Sequence, residues 1–531
     1  MMLFSYDVLV LGSGAAGLRA AISARETGLK VCVVSKGPVG KSTCSWLSAG
    51  VMAGGLNADT IKAHLERTLL AGRGINQLEL VEILVNEAPQ RLSELRRWGI
   101  KAEFRNGYLF AKGHPPVQGE EIIRCLINRN RELGTEFSSK FMVTDLVMEG
   151  GAGVVKVLDQ PSGQWQALSG KAIILATGGA SALYLRHDNP KRMLGDGQRL
   201  ALEAGATLQD MEFVQFYPLC LCGPGTPPLV IPPKLADKGR LVNDLDEDIL
   251  AKYGIQERPA GERARDLLSQ AIFTEIYRNG QRVRLDLSNV PDQQWRRDPF
   301  SASVEHILGN QYGAKDHPVQ VAPAGHHVMG GVKINSDCAT SVPGLFAAGE
   351  VTGGLHGANR MGGNALTETM VFGALAGVSA AHWAKGISDS HEKILFERMY
   401  ERPDTGMGIS KLSIEDLQTR LRKTMWEEAG VIRNENGLIR AADTVNEIRE
   451  IALSLPIECS RQDIGATIEL RSATRIAGLS IQGALKRKES RGAHFREDFP
   501  KQNDEKWMGH LQVRVINEKD VWDLQPQIQG E

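Results

Sequence analysis

Apolar positions cluster along this chain in runs of two kinds. Residues Tyr6 to Leu11 (YDVLVL) are a short β-branched and aliphatic run with the character of a buried strand, followed at once by Gly12-Ser13-Gly14-Ala15-Ala16-Gly17 and a helix-like stretch, LRAAISARETG. A second strand, Lys30 to Val34, closes the unit. Two more apolar runs end on glycine: Ala172 to Leu175 before Ala176-Thr177-Gly178-Gly179, and Gly344 to Val351, which contains Gly349-Glu350. Beyond about residue 386 the period becomes helical. Ser413-x-x-Asp416 reads as a capping box with Asp in place of Glu or Gln, and Ile414, Leu417, Leu421 and Met425 share one helical face as core. The cluster Gly223-Pro-Gly-Thr-Pro-Pro228 reads as a hinge, and the polar tail from Lys501 as extended chain or a segment wrapping a partner.

Strand, glycine turn and helix predict a dinucleotide site. Gly12 permits the tight turn, Gly14 lets the backbone approach a pyrophosphate, and Gly17 lets helix and strand pack closely. The amides around Ala15 and Ala16, at the helix start, face the phosphates. Where NAD sites and many FAD sites place an acid on the ribose, this chain has Ser35-Lys36. That argues against plain NAD binding.

The bulk numbers narrow the partners. With 531 residues, 42% of them hydrophobic, and a formal net charge of -1, the chain has no electrostatic signature for nucleic acid or an anionic membrane. Its seven cysteines (Cys32, Cys44, Cys125, Cys220, Cys222, Cys338, Cys459) are scattered without a CxxC, which fits a reducing, cytoplasmic setting and gives no iron-sulfur, c-type haem or other metal site. The Cys220, Cys222 pair reads as packing. The amino terminus has neither a basic n-region nor a long apolar run, so no secretory signal or direct membrane span is expected.

Gly344-Leu-Phe-Ala-Ala-Gly-Glu350-Val, followed by Leu355-His-Gly-Ala-Asn-Arg360-Met-Gly-Gly-Asn364-Ala365-Leu366, resembles the flavoprotein subunits of fumarate reductase and succinate dehydrogenase, and L-aspartate oxidase. Other pieces fall in the same order: Ala176 to Gly179, Gly195-Asp196-Gly197, Met211 to Gln215, Arg265-Asp266, His326 before Met329-Gly-Gly331, and Ser490 to His494, the last assigned to structure first. The resemblance runs from residue 5 to about 500. It implies an α/β protein with a Rossmann-like FAD-binding domain, an inserted α+β capping domain and a C-terminal helical domain. The corresponding spans are 1–222 and 326–385 for the FAD-binding domain, 223–325 for the cap, 386–500 for the helical domain and 501–531 for the tail. A cap over the flavin gives a cleft that closes on substrate and excludes water.

The same resemblance implies FAD as cofactor, with Glu350 accepting from its ribityl or ribose hydroxyls. A helix-end charge or ion pair is the alternative for Glu350. Ser35, Lys36, Ser42, Thr43, Ser48, Gly50, Thr177, Gly178, Gly179, Asp196, Asn364, Ala365 and Leu366 join the glycine turn as candidate contacts. Where fumarate reductases carry a flavin-linked His, this chain has Cys44, so non-covalent FAD is expected. The implied reaction is hydride transfer between flavin and a carbon beside a carboxylate. Arg360 and His326 would clamp that carboxylate, and Arg265 matches the family's proton-transferring Arg.

The opposite wall departs from the family. Gln215-Phe-Tyr217-Pro-Leu219 stands where relatives read Gln-Phe-His-Pro-Thr, and Ile231-Pro-Pro-Lys-Leu235 replaces Thr-Glu-Gly-x-Arg. The His, Thr, Glu and Arg that serve the second carboxylate and the proton relay are gone. Each lost buried contact costs about 1–3 kcal/mol, so the usual C4 dicarboxylates are disfavoured. Tyr217 and Leu219 are then expected to form an apolar or hydroxyl-binding end. Lys234 or Asp237 is the candidate substitute relay, against their reading as solvated loop charges. With no haem or cluster of its own, the chain is expected to pair with an iron-sulfur electron-transfer subunit, or to react with oxygen as aspartate oxidase does. A competing reading is an electron-transfer flavoprotein with a degenerate substrate site.

Overall fold

The computed structural model describes residues 2–388 except 56 and 116, then 413–455 and 461–527. Cys459 and part of the predicted helical domain lie outside these residues. Strand β1 (Met2–Leu11), helix α1 (Ala15–Arg25) and strand β2 (Val31–Ser35) form the predicted opening unit. β1 pairs in parallel with both β2 and Gln164–Leu175, at the centre of a seven-stranded sheet. Val8, Leu9 and Val10 are fully buried. This is why the run is continuously apolar: a parallel strand covered on both faces has no polar side.

The helix Asn364–Gly386 lies against α1. A Cβ at Gly373 would sit 2.7 Å from the carbonyl oxygen of Ala16, and one at Gly377 would sit 2.2 Å from that of Ala20. Two glycines thus allow the helices to touch backbone to backbone. That contact carries the Arg360 loop, just ahead of the helix, to the glycine turn.

The cap has its own core, including Leu241, Leu268, Ile272, Trp295 and Val321. Its four-stranded sheet pairs Val214–Leu221 with Val319–Val328, putting Gln215 opposite His327 and Tyr217 opposite Ala324. The second of these strands runs without a break across residues 325 and 326, the expected boundary between cap and flavin domain. Cap and flavin domain are joined there by shared strands, which fixes the side chains they carry.

Ser413 and Asp416 form the expected reciprocal capping box, and Leu417, Leu421 and Met425 are buried. In Met211 to Gln215, Glu212 is buried 2.5 Å from the equally buried Arg487, and in Ser490 to His494 Arg491 donates to the Arg73 carbonyl and Ala493 N–H to the Ala358 carbonyl, so both motif segments hold the helical region onto the flavin domain. The tail departs from expectation. Gly509–Ile516 and Lys519–Pro526 form a hairpin that extends a five-stranded sheet through Leu208–Gln209. The alternation of Leu511 and Val513, both buried, anchors it. Among the described residues no helix is long and apolar enough to cross a membrane.

Candidate functional site

A cavity of about 1160 Å³ runs from the glycine turn to the cap. Ordinary small-molecule sites occupy roughly 300–1,000 Å³, so this one has room for a dinucleotide and a second ligand. Arg265, His326, Arg360 and the residues expected to contact the flavin all line it, except Gly17 and Asn364.

The dinucleotide end is built from backbone. Gly12 has φ +117°, and a Cβ there would lie 2.2 Å from the Ala176 carbonyl oxygen. A Cβ on Gly17 would lie 2.0 Å from the oxygen of Gly12, so Gly17 works by packing and does not face the ligand. Helix α1 has no side-chain cap at Gly14 and no acid in its first turn. Of its first-turn amides, Ala15 N–H donates to Ser45 Oγ at 3.2 Å. An uncapped, acid-free helix start beside a glycine cradle is the donor set a pyrophosphate requires. Ser35 ends β2 with its hydroxyl 2.6 Å from that of Ser13, leaving no carboxylate at the ribose position.

Two of the expected contacts are redirected. Lys36 reaches Asp196 at 2.6 Å and Glu469 at 3.0 Å, so its ammonium is neutralised by acids, one of them in the helical domain, instead of standing free for a phosphate. Asn364 is fully buried: its amide donates to Thr68 Oγ1 and its oxygen lies 2.7 Å from His64 Nε2. It ties the Arg360 loop to the helix Ala58–Ala71. Cys44 donates to Asn189 Oδ1 at 3.1 Å, and burial pushes its thiol well up, which disfavours the thiolate needed for a covalent flavin link.

Glu350 packs against Gly179 with its side chain 12% exposed, and its Oε1 accepts from Val328 N–H at 3.0 Å. Burial raises its carboxyl to about 8. Below the usual carboxyl range of about 4.3 the group is protonated in folded and unfolded chain alike and costs nothing. As pH rises from there through about 8, the unfolded chain ionises while the buried carboxyl resists. The flavin-free protein should therefore lose stability across that window, on the order of a few kcal/mol, and level off above it. Glu350→Gln should flatten the dependence of Tm on pH; an unchanged slope would remove Glu350 as its cause.

At the other end, Arg265 begins the helix Arg265–Tyr277 and is buried. Its Nη1 donates to Gln215 Oε1 at 3.0 Å, its Nε to the Gly261 carbonyl, and its guanidinium lies 5.0 Å from the Tyr217 ring centroid. Gln215 in turn donates to Asn359 Oδ1 and to the carbonyl of Arg360, so one side chain joins the two arginine segments. Arg360 is buried, with Nη1 on the Met361 carbonyl and Nε without a partner. Burial, then the charge of Arg265, pushes Arg360 down to about 9. Two buried cations that raise each other's energy leave a deficit that an anion would fill.

His326 stands in the same cavity, its Nδ1 2.6 Å from Asp188 Oδ2. Asp188 was not legible in the sequence, because Asp188-Asn-Pro190 reads as an ordinary turn. The far wall is apolar. Tyr217 Oη donates to the Ile231 carbonyl at 2.8 Å, which commits the hydroxyl to backbone and leaves the ring to face ligand. Leu219 does not line the cavity; Pro227, Leu229, Pro232 and Phe300 do, beside Tyr217. Of the two relay candidates, Lys234 lines the cavity while Asp237 accepts from Ala260 N–H and faces Arg258.

The FAD binding domain family matches residues 7–366, and the fumarate reductase flavoprotein C-terminal family matches residues 418–527. The chain is 36% identical to an uncharacterized FAD-dependent oxidoreductase of Methanocaldococcus jannaschii, over 97% of each chain. It is 34% identical to a fumarate reductase (CoM/CoB) chain of Methanothermobacter marburgensis, over 99% of each. A solved E. coli quinol fumarate reductase chain superposes with a TM-score of 0.88 at 26% identity, covering 99% of this chain and 97% of that one. With a glycine cradle and donor set that fit the cofactor, the chain is an FAD-binding oxidoreductase belonging to the family of fumarate reductase and succinate dehydrogenase flavoproteins and L-aspartate oxidases.

Proposed function

We propose that this flavoprotein oxidises or reduces a carbon-carbon bond next to the carboxylate of an organic acid other than the usual C4 dicarboxylates. The observation that carries this reading is the convergence of buried Arg265 and Arg360 in the cavity that begins at the glycine turn. Bound FAD, held non-covalently, supplies the two-electron exchange. The chain's own residues bind and orient: a guanidinium holds a carboxylate in two parallel hydrogen bonds and keeps its charge in a dry site. His326 adds a third polar group, and the ring of Tyr217 with Pro232 and Phe300 receives an apolar end. The loss of the family's second carboxylate grip is consistent with a monocarboxylate.

Electrons reach or leave the flavin through an iron-sulfur partner in this reading, supported by the relative named as one subunit of a fumarate reductase. Its setting is the cytoplasm, in keeping with six free cysteines among the described residues. A second reading, an electron-transfer flavoprotein with a vestigial substrate site, draws on Pro232 and Leu235 at the positions of the family's Glu and Arg. Anaerobic reduction of the bound flavin, followed by mixing with a panel of mono- and dicarboxylic enoates, separates the two. Monocarboxylic enoates with apolar tails should reoxidise it faster than fumarate. Fumarate turnover at the family's rates would refute the specificity, and silence across the panel would favour the carrier.

A further inference from the structure

His326 sits on the strand Val319–Val328 with the ring of Tyr217 5.4 Å away, centroid to centroid. Its Nδ1 meets Asp188, whose side chain is 9% exposed. Asn189 locks the arrangement, donating through Nδ2 both to Asp188 Oδ1 and to the carbonyl of His326, each at 2.9 Å. A carboxylate accepts hydrogen bonds and cannot donate them, so Nδ1 must carry the hydrogen. A neutral imidazole has only one. Its Nε2 is then a bare acceptor, and a bare acceptor cannot donate to a substrate carboxylate.

We propose that Asp188 is a positioning residue that fixes His326 as its Nδ1–H tautomer, making Nε2 the group that exchanges a proton with the carbon beside the substrate carboxylate. This rests on the function proposed above and replaces the clamp role first expected of His326. In the oxidative direction the C–H bond at that carbon breaks, its proton goes to Nε2, and its electron pair forms the new carbon-carbon π bond as the neighbouring carbon gives up a hydride, for which bound FAD would be the two-electron acceptor. Reduction runs the same exchange backwards, from the imidazolium that Asp188 stabilises. The family's relay is replaced by Pro232 and Leu235, whereas this pair is complete in the cavity.

The charged and titratable groups facing His326 are Asp188 from its loop, Arg360 from the flavin loop, Arg265 from the cap helix, the neighbouring His327 and the Tyr217 ring. Burial lowers the imidazole below its usual range; Asp188 opposes the shift and the two arginines add to it. A neutral ring suits a proton acceptor. Removing the Asp188 charge lowers it further, so the His326 limb of a pH profile should move to lower pH.

Ring nitrogen NMR of the [15N]histidine-labelled holoenzyme tests the tautomer without turnover. The His326 signals, identified by their absence in His326→Gln, should show a protonated Nδ1 and a bare Nε2 above the ring's titration. Asp188→Asn should convert or mix the tautomers, and Asp188→Glu should keep them. A proton on Nε2 in the parent protein, or no change in Asp188→Asn at full flavin content, overturns the proposal. In enoate-driven flavin reoxidation, Asp188→Asn should lower kcat about 100-fold with KM nearly constant. A raised KM with unchanged kcat would restore the clamp role and overturn it. If no enoate reacts, the proposed function fails, and the tautomer alone then decides the positioning role of Asp188.

Discussion

Arg360→Ala is expected to lower kcat/KM for the organic acid by about 30- to 5,000-fold while the protein keeps its flavin and its reduction by dithionite. The magnitude follows from the cost of truncating one partner of a buried charge pair, about 2–5 kcal/mol. Arg360 is suited to that loss because it is buried, its Nε has no partner, and its Nη1 is spent only on the neighbouring Met361 carbonyl. Its fold contacts run through the backbone, where the N–H donates to Asn359 Oδ1 and the carbonyl accepts from Gln215. Truncation should therefore spare the loop. Stopped-flow reoxidation of the reduced flavin by an active enoate measures the effect. A change of less than about 3-fold would show that the carboxylate is held elsewhere. Retained substrate-free electron transfer beside lost enoate turnover would separate the enzyme from the carrier.

Gly12→Ala should abolish flavin binding and leave most of the protein misfolded, whereas Gly14→Ala should fold and bind flavin weakly. At Gly12 an added Cβ would meet the Ala176 carbonyl oxygen at 2.2 Å and its carbon at 2.6 Å, at a φ of +117° that L-residues rarely adopt. Both obstacles are backbone at the ends of paired central strands, β1 and Gln164–Leu175, and cannot rotate away. Gly14 has φ −71° and its Cβ would find only Ser45 Oγ, at 3.6 Å. There the substitution strains nothing but fills the approach of the pyrophosphate. Flavin absorbance per polypeptide and circular dichroism of the two purified proteins check the contrast. Full flavin loading of Gly12→Ala would overturn the packing argument.

Residues 6 to 35 were legible because their information is local. A buried parallel strand needs an unbroken apolar run, and a turn at positive φ needs glycine; both leave their mark in consecutive residues. The Arg360 loop was legible for a related reason, since its glycines and its arginine lie within one short segment.

What the sequence could not decide is where long side chains end. Lys36 carries the same charge whether it meets a phosphate or Asp196 and Glu469, and only the packing of the helix Arg461–Lys486 against the helix Asp196–Glu203 sets both acids beside it. Asn364 turns to His64 and Thr68, about 300 residues earlier in the chain. The Tyr217 hydroxyl is spent on Ile231 because the chain after the strand Val214–Leu221 folds back along it, with Ile231 N–H donating to the Leu219 carbonyl. The tail became a hairpin because Leu208–Gln209 offered a sheet edge to pair with. The sequence by itself determined the cofactor fold and the two arginines, as properties of contiguous segments. The tertiary structure decided the protonation partner of His326, because Asp188 and His326 are 138 residues apart and meet only when the strand Val319–Val328 lies beside the turn at Asn189.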